Sequence, residues 1–308
     1  AIQIYPNSLL TESFSAMNKA TNLSIGYIGL GNMGKPMAMC LLNKGFQVAI
    51  WARNPDKVAD LVARGARALN SAADVVRASD VTFTCVTNTD AMRAIVFGQG
   101  GIAEGAAKGK VLVDMSSIEP GATVEMAAKL KADTGMGWVD APISGSPTAC
   151  LEGTLTVMAG ATQEDFDFAE PVIDCLAGRL THMGPSGAGQ TTKLVNQTLV
   201  GGSLALVAEA IKFAQDAGVD ATRIPAALAG GRADSPVLQE WGARMAVEDY
   251  APTSTVDIMV KDLNTVSRTS QAQGTPMPVA GAAGDVFQLA SRQGHGQLDV
   301  CAIKKIYD

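Results

Sequence analysis

From Leu23 onward, short apolar runs alternate with stretches whose apolar positions recur at helical spacing. Residues 23–28 are a β-branched apolar run that predicts a buried strand. A glycine-rich turn follows, then a helix to about Asn43 with Gly45 as its stop. Residues 47–51 predict the next strand. Asn54 precedes Pro55, an N-cap followed by proline at the first helical position, so a helix is expected up to Arg64, ahead of Gly65. Ser71 reads as another N-cap, residues 80–86 and 110–115 as buried strands, and Pro120 as the start of a helix to about Lys131. Strands at 138–141, 154–159 and 179–183 and a helix at about 163–176 complete this half. Strand, helix, strand at such a cadence predicts βαβ units and a parallel sheet.

The cadence changes after Gly189. Residues 190–216 predict one long helix stopped by Gly218, apolar nearly all round and therefore expected to be buried on most sides. Gly201 and Gly202 in its middle cost about 1 kcal/mol each relative to alanine, which the close approach of a neighbouring element would offset. Further helices are expected at 220–229, 235–248, 254–273 and 277–293, with a short one at the end and no strand beyond Met183. The expected fold is α/β: an N-terminal Rossmann-type doubly wound sheet over 23–186, then an all-α C-terminal domain over 187–308, with the long helix as hinge. Residues 1–22 stand apart as an arm, and without a basic leader ahead of an apolar core they do not read as a secretory signal.

Composition narrows the picture. A chain of 308 residues has room for two domains, and 47% hydrophobic against 18% charged residues excludes wholesale disorder. No uninterrupted apolar stretch reaches the roughly 18–20 residues of a spanning helix, so no membrane partner is expected. The net charge of −6 offers no basic face to nucleic acid or anionic lipid. Five scattered cysteines without a Cys-x-x-Cys pair predict reduced thiols in a cytoplasmic protein, and two distant histidines leave a metal site poorly supplied, so no metal is expected.

The candidate chemistry begins at Gly29-Leu30-Gly31-Asn32-Met33-Gly34, which follows the first strand and opens the first helix. In a dinucleotide fingerprint the first glycine makes the tight turn and the second admits the pyrophosphate to the backbone. The third packs helix on strand, and the helix N-terminus faces the negative charge. An NAD site usually carries an acid at the end of the second strand; this chain has Arg53 and Asn54 there. A guanidinium forks well onto a 2′-phosphate, which favours NADP over NAD. A solvated arginine at a strand end is the bland alternative.

With that loop, four further segments resemble the β-hydroxyacid dehydrogenase family, which includes 3-hydroxyisobutyrate dehydrogenase and tartronate semialdehyde reductase and shares the NAD(P)-binding domain type of 6-phosphogluconate dehydrogenase. They are Asp114-Met115-Ser116-Ser117, Asp140 to Gly145 running on to Gly153-Thr154-Leu155, Gly184 to Gly189 with Lys193 and Asn196, and Lys261-Asp262-Leu263. The resemblance implies hydride transfer between a nicotinamide cofactor and a small 3-hydroxy or 3-oxo acid. It implies Lys193 as catalytic acid/base and Ser144 and Gly145 as the grip on the substrate carboxylate. Ser117, the Val86-Thr87 turn and Lys261 would contact the cofactor, and relatives pair through the helical domain, so a homodimer or homotetramer is expected.

The residues support these roles by themselves. An alkoxide left by hydride transfer must be protonated as it forms, and Lys193 lies in an apolar helix where an idle lysine would be costly. Asn196 and Gln197 follow three and four residues on, on the same helical face, placed to orient ammonium or substrate or merely to satisfy one another. Ser146 stands where relatives usually have a second glycine; its hydroxyl either meets a hydroxylated acid or faces water in a tight turn. Ser116 and Ser117 cap the next helix, face a ligand at the strand's carboxyl end, or do both. Lys261 either closes over nicotinamide or pairs with Asp257 or Asp262. Two other functions fit the fold: an imine reductase, against which Lys193 counts, and a catalytically silent dinucleotide-binding module, which would have lost Lys193 or the Ser144-Gly145 grip.

Overall fold

A computed structural model describes residues 22–308, so the expected arm at 1–22 lies, but for Asn22, outside the described residues. The chain gathers into two units, with Lys193 ending the first and Leu194 opening the second. The expected boundary stood at 186/187; by contacts the division falls inside the long helix.

In the first unit, nine strands among the described residues form one sheet. They are β1 (Ile25–Ile28), β2 (Val48–Trp51), β3 (Arg67–Ala68), β4 (Val81–Thr84), β5 (Val111–Asp114), β6 (Gly137–Asp140), β7 (Ile143–Ser144), β8 (Leu155–Gly160) and β9 (Ala177–Gly184). The order is β3-β2-β1-β4-β5-β6-β8-β7, with β9 beside β8. From β3 to β6 all neighbours are parallel, the doubly wound order of a dinucleotide-binding sheet. The expectation of a parallel sheet fails at β8, which is antiparallel to both β6 and β7. The link from β7 to β8 is the reason: Gly145–Thr154 is too short for a parallel crossover and contains only one short helix.

Side chains alternate across the strands, as the pleat requires. Ile25, Tyr27, Val48, Ile50, Val81 and Phe83 enter one core layer, while Ile28, Ala49 and Leu112 enter the layer on the other face. The covering helices used below are α1 (Gly34–Asn43), α2 (Ala72–Arg77), α3 (Thr89–Phe97), α4 (Pro120–Thr134), α5 (Pro147–Glu152) and α6 (Gln163–Ile173). Two expected caps form: Asn54 accepts from the Asp56 amide and Ser71 from the Asp74 amide. α3 and α5 are absent from the sequence reading, although Asn88 and Ser146 cap them by accepting from Ala91 and Ala149.

The second unit is helical. The long helix α7 (Ala188–Asp216) runs into it, followed among longer elements by α8 (Val256–Gln273) and α9 (Pro278–Ala290). Leu204, Ala208, Ile211, Met259, Leu263, Phe287 and Ile303 make its core. The expected burial of α7 on most sides is not found: Val195, Leu199, Leu206 and Phe213 are 55%, 65%, 64% and 76% exposed. By length and hydropathy α7 is apolar enough to cross a bilayer, yet its inward face is packed into this core. Gly201 does meet a neighbour, since a β-carbon there would lie 3.1 Å from Leu263 and 3.4 Å from the Met259 sulfur. Gly202 opens onto space, so the close-approach account holds for one glycine of the pair.

Candidate active site

The carboxyl ends of the parallel strands gather most of the expected residues of the first unit. After β1, Gly29 turns with φ +91° and lies so close to the Cys85 carbonyl that a β-carbon would strike it. Gly34 is equally constrained by the Gly29 carbonyl, which fixes the approach of α1 to β1. Gly31 differs: it is exposed and a β-carbon there would meet nothing within 4 Å. α1 begins without a side-chain cap and without an acid in its first turn. An open glycine facing uncapped helical amides fits a diphosphate. Leu30, Asn32 and Met33 complete this loop, and Arg53 and Asn54 stand exposed after β2.

The turn after β4 is tied to the turn after β5. The Val86 amide donates to the Ser116 hydroxyl at 2.8 Å, and the Ser116 amide to Asp114 Oδ1 at 3.0 Å. Thr84 donates its hydroxyl to the same carboxylate oxygen at 3.1 Å, while Asp114 Oδ2 is buried without a hydrogen-bond partner. Full burial pushes Asp114 up to about 6 against the pull of these donors. Neither Ser116 nor Ser117 caps α4, whose N-cap position is Glu119, without a side-chain capping bond. The capping alternative is therefore corrected, because the Ser116 hydroxyl is engaged by Val86. Ser117 is half-buried beside it and Thr87 is exposed.

Ser144 ends β7, and Gly145 follows at φ +146°, a conformation glycine adopts without strain. Ser146 uses its hydroxyl oxygen to accept from the Ala149 amide at 3.2 Å, which fixes the turn into α5. Its hydroxyl hydrogen stays available for donation.

Lys193 lies in the second turn of α7 and is 7% exposed. The start of that helix is anchored by two residues the sequence reading did not single out. Asp140, at the end of β6, accepts from the Gly187 amide at 2.7 Å and the Gln190 amide at 2.9 Å, one on each oxygen. Gln190 accepts from the Ile118 amide at 3.1 Å and donates to the Ser116 carbonyl at 2.7 Å. Burial pushes Asp140 up to about 7, with the two amides pulling down and Asp114 repelling.

Asn196, Gln197 and Lys261 belong to the second unit and are joined there. Asn196 donates to Gln197 at 2.8 Å, Gln197 donates to Asp262, and Lys261 pairs with Asp262 at 3.0 Å. Of the two partners named for Lys261, Asp262 is the one it pairs with. Asp262, 5% exposed, is the link in this chain; the sequence names it as a partner for Lys261 but does not show that it also accepts from Gln197.

Residues 24–184 match the NAD binding domain of 6-phosphogluconate dehydrogenase, and residues 187–307 match the NAD-binding domain of NADP-dependent 3-hydroxyisobutyrate dehydrogenase. The 2-hydroxy-3-oxopropionate reductase of Escherichia coli (strain K12) is 36% identical over 282 residues, covering 91% of this chain and 96% of its own. The chain belongs to the β-hydroxyacid dehydrogenase family. The 2-(hydroxymethyl)glutarate dehydrogenase of Eubacterium barkeri is 33% identical, over 93% of this chain and 95% of its own. A crystal structure of 3-hydroxyisobutyrate dehydrogenase from Salmonella typhimurium superposes with a TM-score of 0.83 at 32% identity, over 92% of this chain and 99% of that one. The protein is accordingly an oxidoreductase that uses a nicotinamide dinucleotide. The glycine loop described above is where this family's dinucleotide fits the residues present.

Proposed function

We propose that this oxidoreductase interconverts a small 3-hydroxy acid and its 3-oxo (semialdehyde) counterpart, with NADP(H) preferred over NAD(H). Lys193 is the proton donor and acceptor. Ser144, Gly145 and Ser146 hold the substrate carboxylate, and Asn196 and Gln197 orient the reacting end. The loop from Gly29 to Gly34, Arg53 with Asn54, Val86, Thr87, Ser117 and Lys261 serve the cofactor. The observation that carries the reading is a buried lysine in the second turn of a helix anchored to the carboxyl ends of β5 and β6. Taking an ammonium out of water is costly.

When bound, the dinucleotide supplies or removes the hydride. In the reducing direction, Lys193 Nζ–H gives a proton to the carbonyl oxygen as negative charge develops there, and solvent restores it; oxidation runs these steps backwards. The Ser144 hydroxyl and the Gly145 backbone grip the carboxylate, so the carbonyl is presented in one orientation. The names of the three relatives share a feature: a carboxylate whose adjacent carbon bears a hydroxymethyl group or its aldehyde. The spare hydroxyl hydrogen of Ser146 favours an acid that also carries a hydroxyl on that carbon, such as 2-hydroxy-3-oxopropionate.

The test is NADPH oxidation with 2-hydroxy-3-oxopropionate, methylmalonate semialdehyde, succinic semialdehyde and glyoxylate, run beside Lys193→Ala. The expected result is fastest turnover of the two acids substituted next to the carboxylate. Loss of the lysine should lower kcat by about 10²–10⁴-fold with cofactor KM nearly unchanged. Cofactor binding without turnover of any of the four acids, or full kcat in Lys193→Ala, would refute the reading.

We further propose that the helical domain serves substrate binding and pairing of chains. Leu199, Leu206 and Phe213 recur every seven residues along the exposed side of α7, with Val195 one turn ahead. A row at that spacing is the seam geometry of packed helices.

A further inference from the structure

We infer that Asp140 and Gln190 are positioning residues for proton transfer, holding Lys193 in place through the first turn of α7. The inference rests on the reading of Lys193 as proton donor. Four features converge on that turn. Asp140 reaches it from another strand and takes two of its amides, one per carboxylate oxygen, at 2.7 and 2.9 Å. The first amides of a helix otherwise lack partners, and one carboxyl group with an oxygen facing each satisfies two of them at once. Gln190 then ties the same turn, through both ends of its amide, to the Ser116 carbonyl and the Ile118 amide. Ser116 in turn holds Val86. The anchoring thus runs from the helix start to the two turns proposed to meet the cofactor.

The third feature is steric. A β-carbon on Gly189 would strike the Met158 carbonyl and lie 2.5 Å from the Asp140 carbonyl. The fourth is its neighbour across the contact: a β-carbon on Gly160 would lie 2.6 Å from the Gly189 amide nitrogen and 2.8 Å from either Asp140 oxygen. Two glycines therefore let the helix seat directly on the ends of β6 and β8. Lys193 is three residues after Gln190 and four after Gly189, so it rises from the face that is clamped. Rotation or a slip of this turn would carry the lysine with it, and a displacement of about 1 Å at a reacting group costs roughly 100-fold in rate. A capping residue drawn from the helix's own sequence would fix only the helix end; Asp140 and Gln190 fix it against the sheet.

The experiment is a double-mutant cycle on the full-length enzyme with the acid that the substrate panel selects, using Asp140→Asn, Gln190→Leu, Lys193→Ala and the two doubles with Lys193→Ala. Asp140→Asn should lower kcat at least ten-fold and raise the solvent deuterium isotope effect on kcat, because proton delivery becomes slower. Cofactor KM should stay within two-fold. On top of Lys193→Ala it should cost less than a further two-fold, since the group it positions is gone. Gln190→Leu carries the same expectations and keeps the test decisive if Asp140→Asn does not fold. A kcat within two-fold of the parent, an unchanged isotope effect, or losses that multiply with that of Lys193→Ala would each overturn the inference. Full activity in Lys193→Ala alone would instead show that the underlying reading had failed, and the inference would fall with it.

Discussion

At the scale of single residues, the two buried carboxylates Asp114 and Asp140 are where folding and function pull apart. They are register partners on adjacent strands, and each is pushed above its ordinary value by burial. For Asp114 the folded protein keeps a proton between pH 3.8 and about 6 that the unfolded chain has lost. Stability contributed by that proton therefore falls as pH rises through this window and stays low above it. Asp114→Asn keeps an acceptor for Thr84 and Ser116 and removes the charge. The variant should match the parent near pH 4 and exceed it above pH 6, by up to about 3 kcal/mol. Thermal melts across pH 4–8 measure this, and parallel curves for the two proteins would contradict it. The proposed preference for NADP(H) rests on Arg53. Arg53→Ala should raise the NADPH KM about ten-fold or more, the order of a lost charge-assisted bond, while leaving the NADH KM nearly unchanged; equal effects would remove the arginine from that role. Lys193 was visible in the sequence as a lysine in an apolar helix. Asp140 stood there only as the first residue of a family segment, and its anchoring role was not visible, because its partners lie 47 and 50 residues further along the chain and are backbone amides, which carry no letter in a sequence.

At the scale of elements, the glycine loop separates two jobs that the motif spells identically. Gly34 is closed by the Gly29 carbonyl, whereas Gly31 faces open space. Gly34→Ala should lower the Tm by several degrees, because something in the strand–helix contact must shift. Gly31→Val should leave the Tm within about 1–2 °C, as surface changes usually do, yet weaken dinucleotide binding at least ten-fold by filling the space where the pyrophosphate approaches. Titration of the dinucleotide by fluorescence, beside a melt of each variant, decides between the two jobs. Helix starts at Asn54 and Ser71 were readable because a cap and the amide it serves lie within three residues. α3 and α5 carry equally good caps at Asn88 and Ser146 and were overlooked for want of a long apolar period behind them. Ser116 misled in the opposite sense: its hydroxyl sits near a helix start in sequence but is engaged by Val86, on the neighbouring strand's turn.

At the scale of the whole molecule, the exposed apolar row on α7 is the feature that a monomer leaves unexplained. If chains pair through it, Leu206→Glu combined with Phe213→Glu should halve the apparent mass in size-exclusion chromatography with light scattering, without unfolding the protein. A mass equal to that of the parent would discard this face as the pairing surface. The βαβ cadence, the position of the glycine loop after β1 and the change to helices after β9 follow from apolar periodicity and from glycine and proline placement, which act over a few residues and are written in the chain itself. That a lysine stands at position 193 inside an apolar helix was legible for the same reason; the role proposed for it came from the family resemblance. What only the tertiary structure decided is everything set by groups distant in sequence: the antiparallel turn of β8, which face of α7 meets the core, the separate fates of Gly201 and Gly202, and the carboxylate that seats the lysine's helix. Those outcomes depend on which backbone amides and which side chains arrive at the same point in space, and a local pattern holds no record of that.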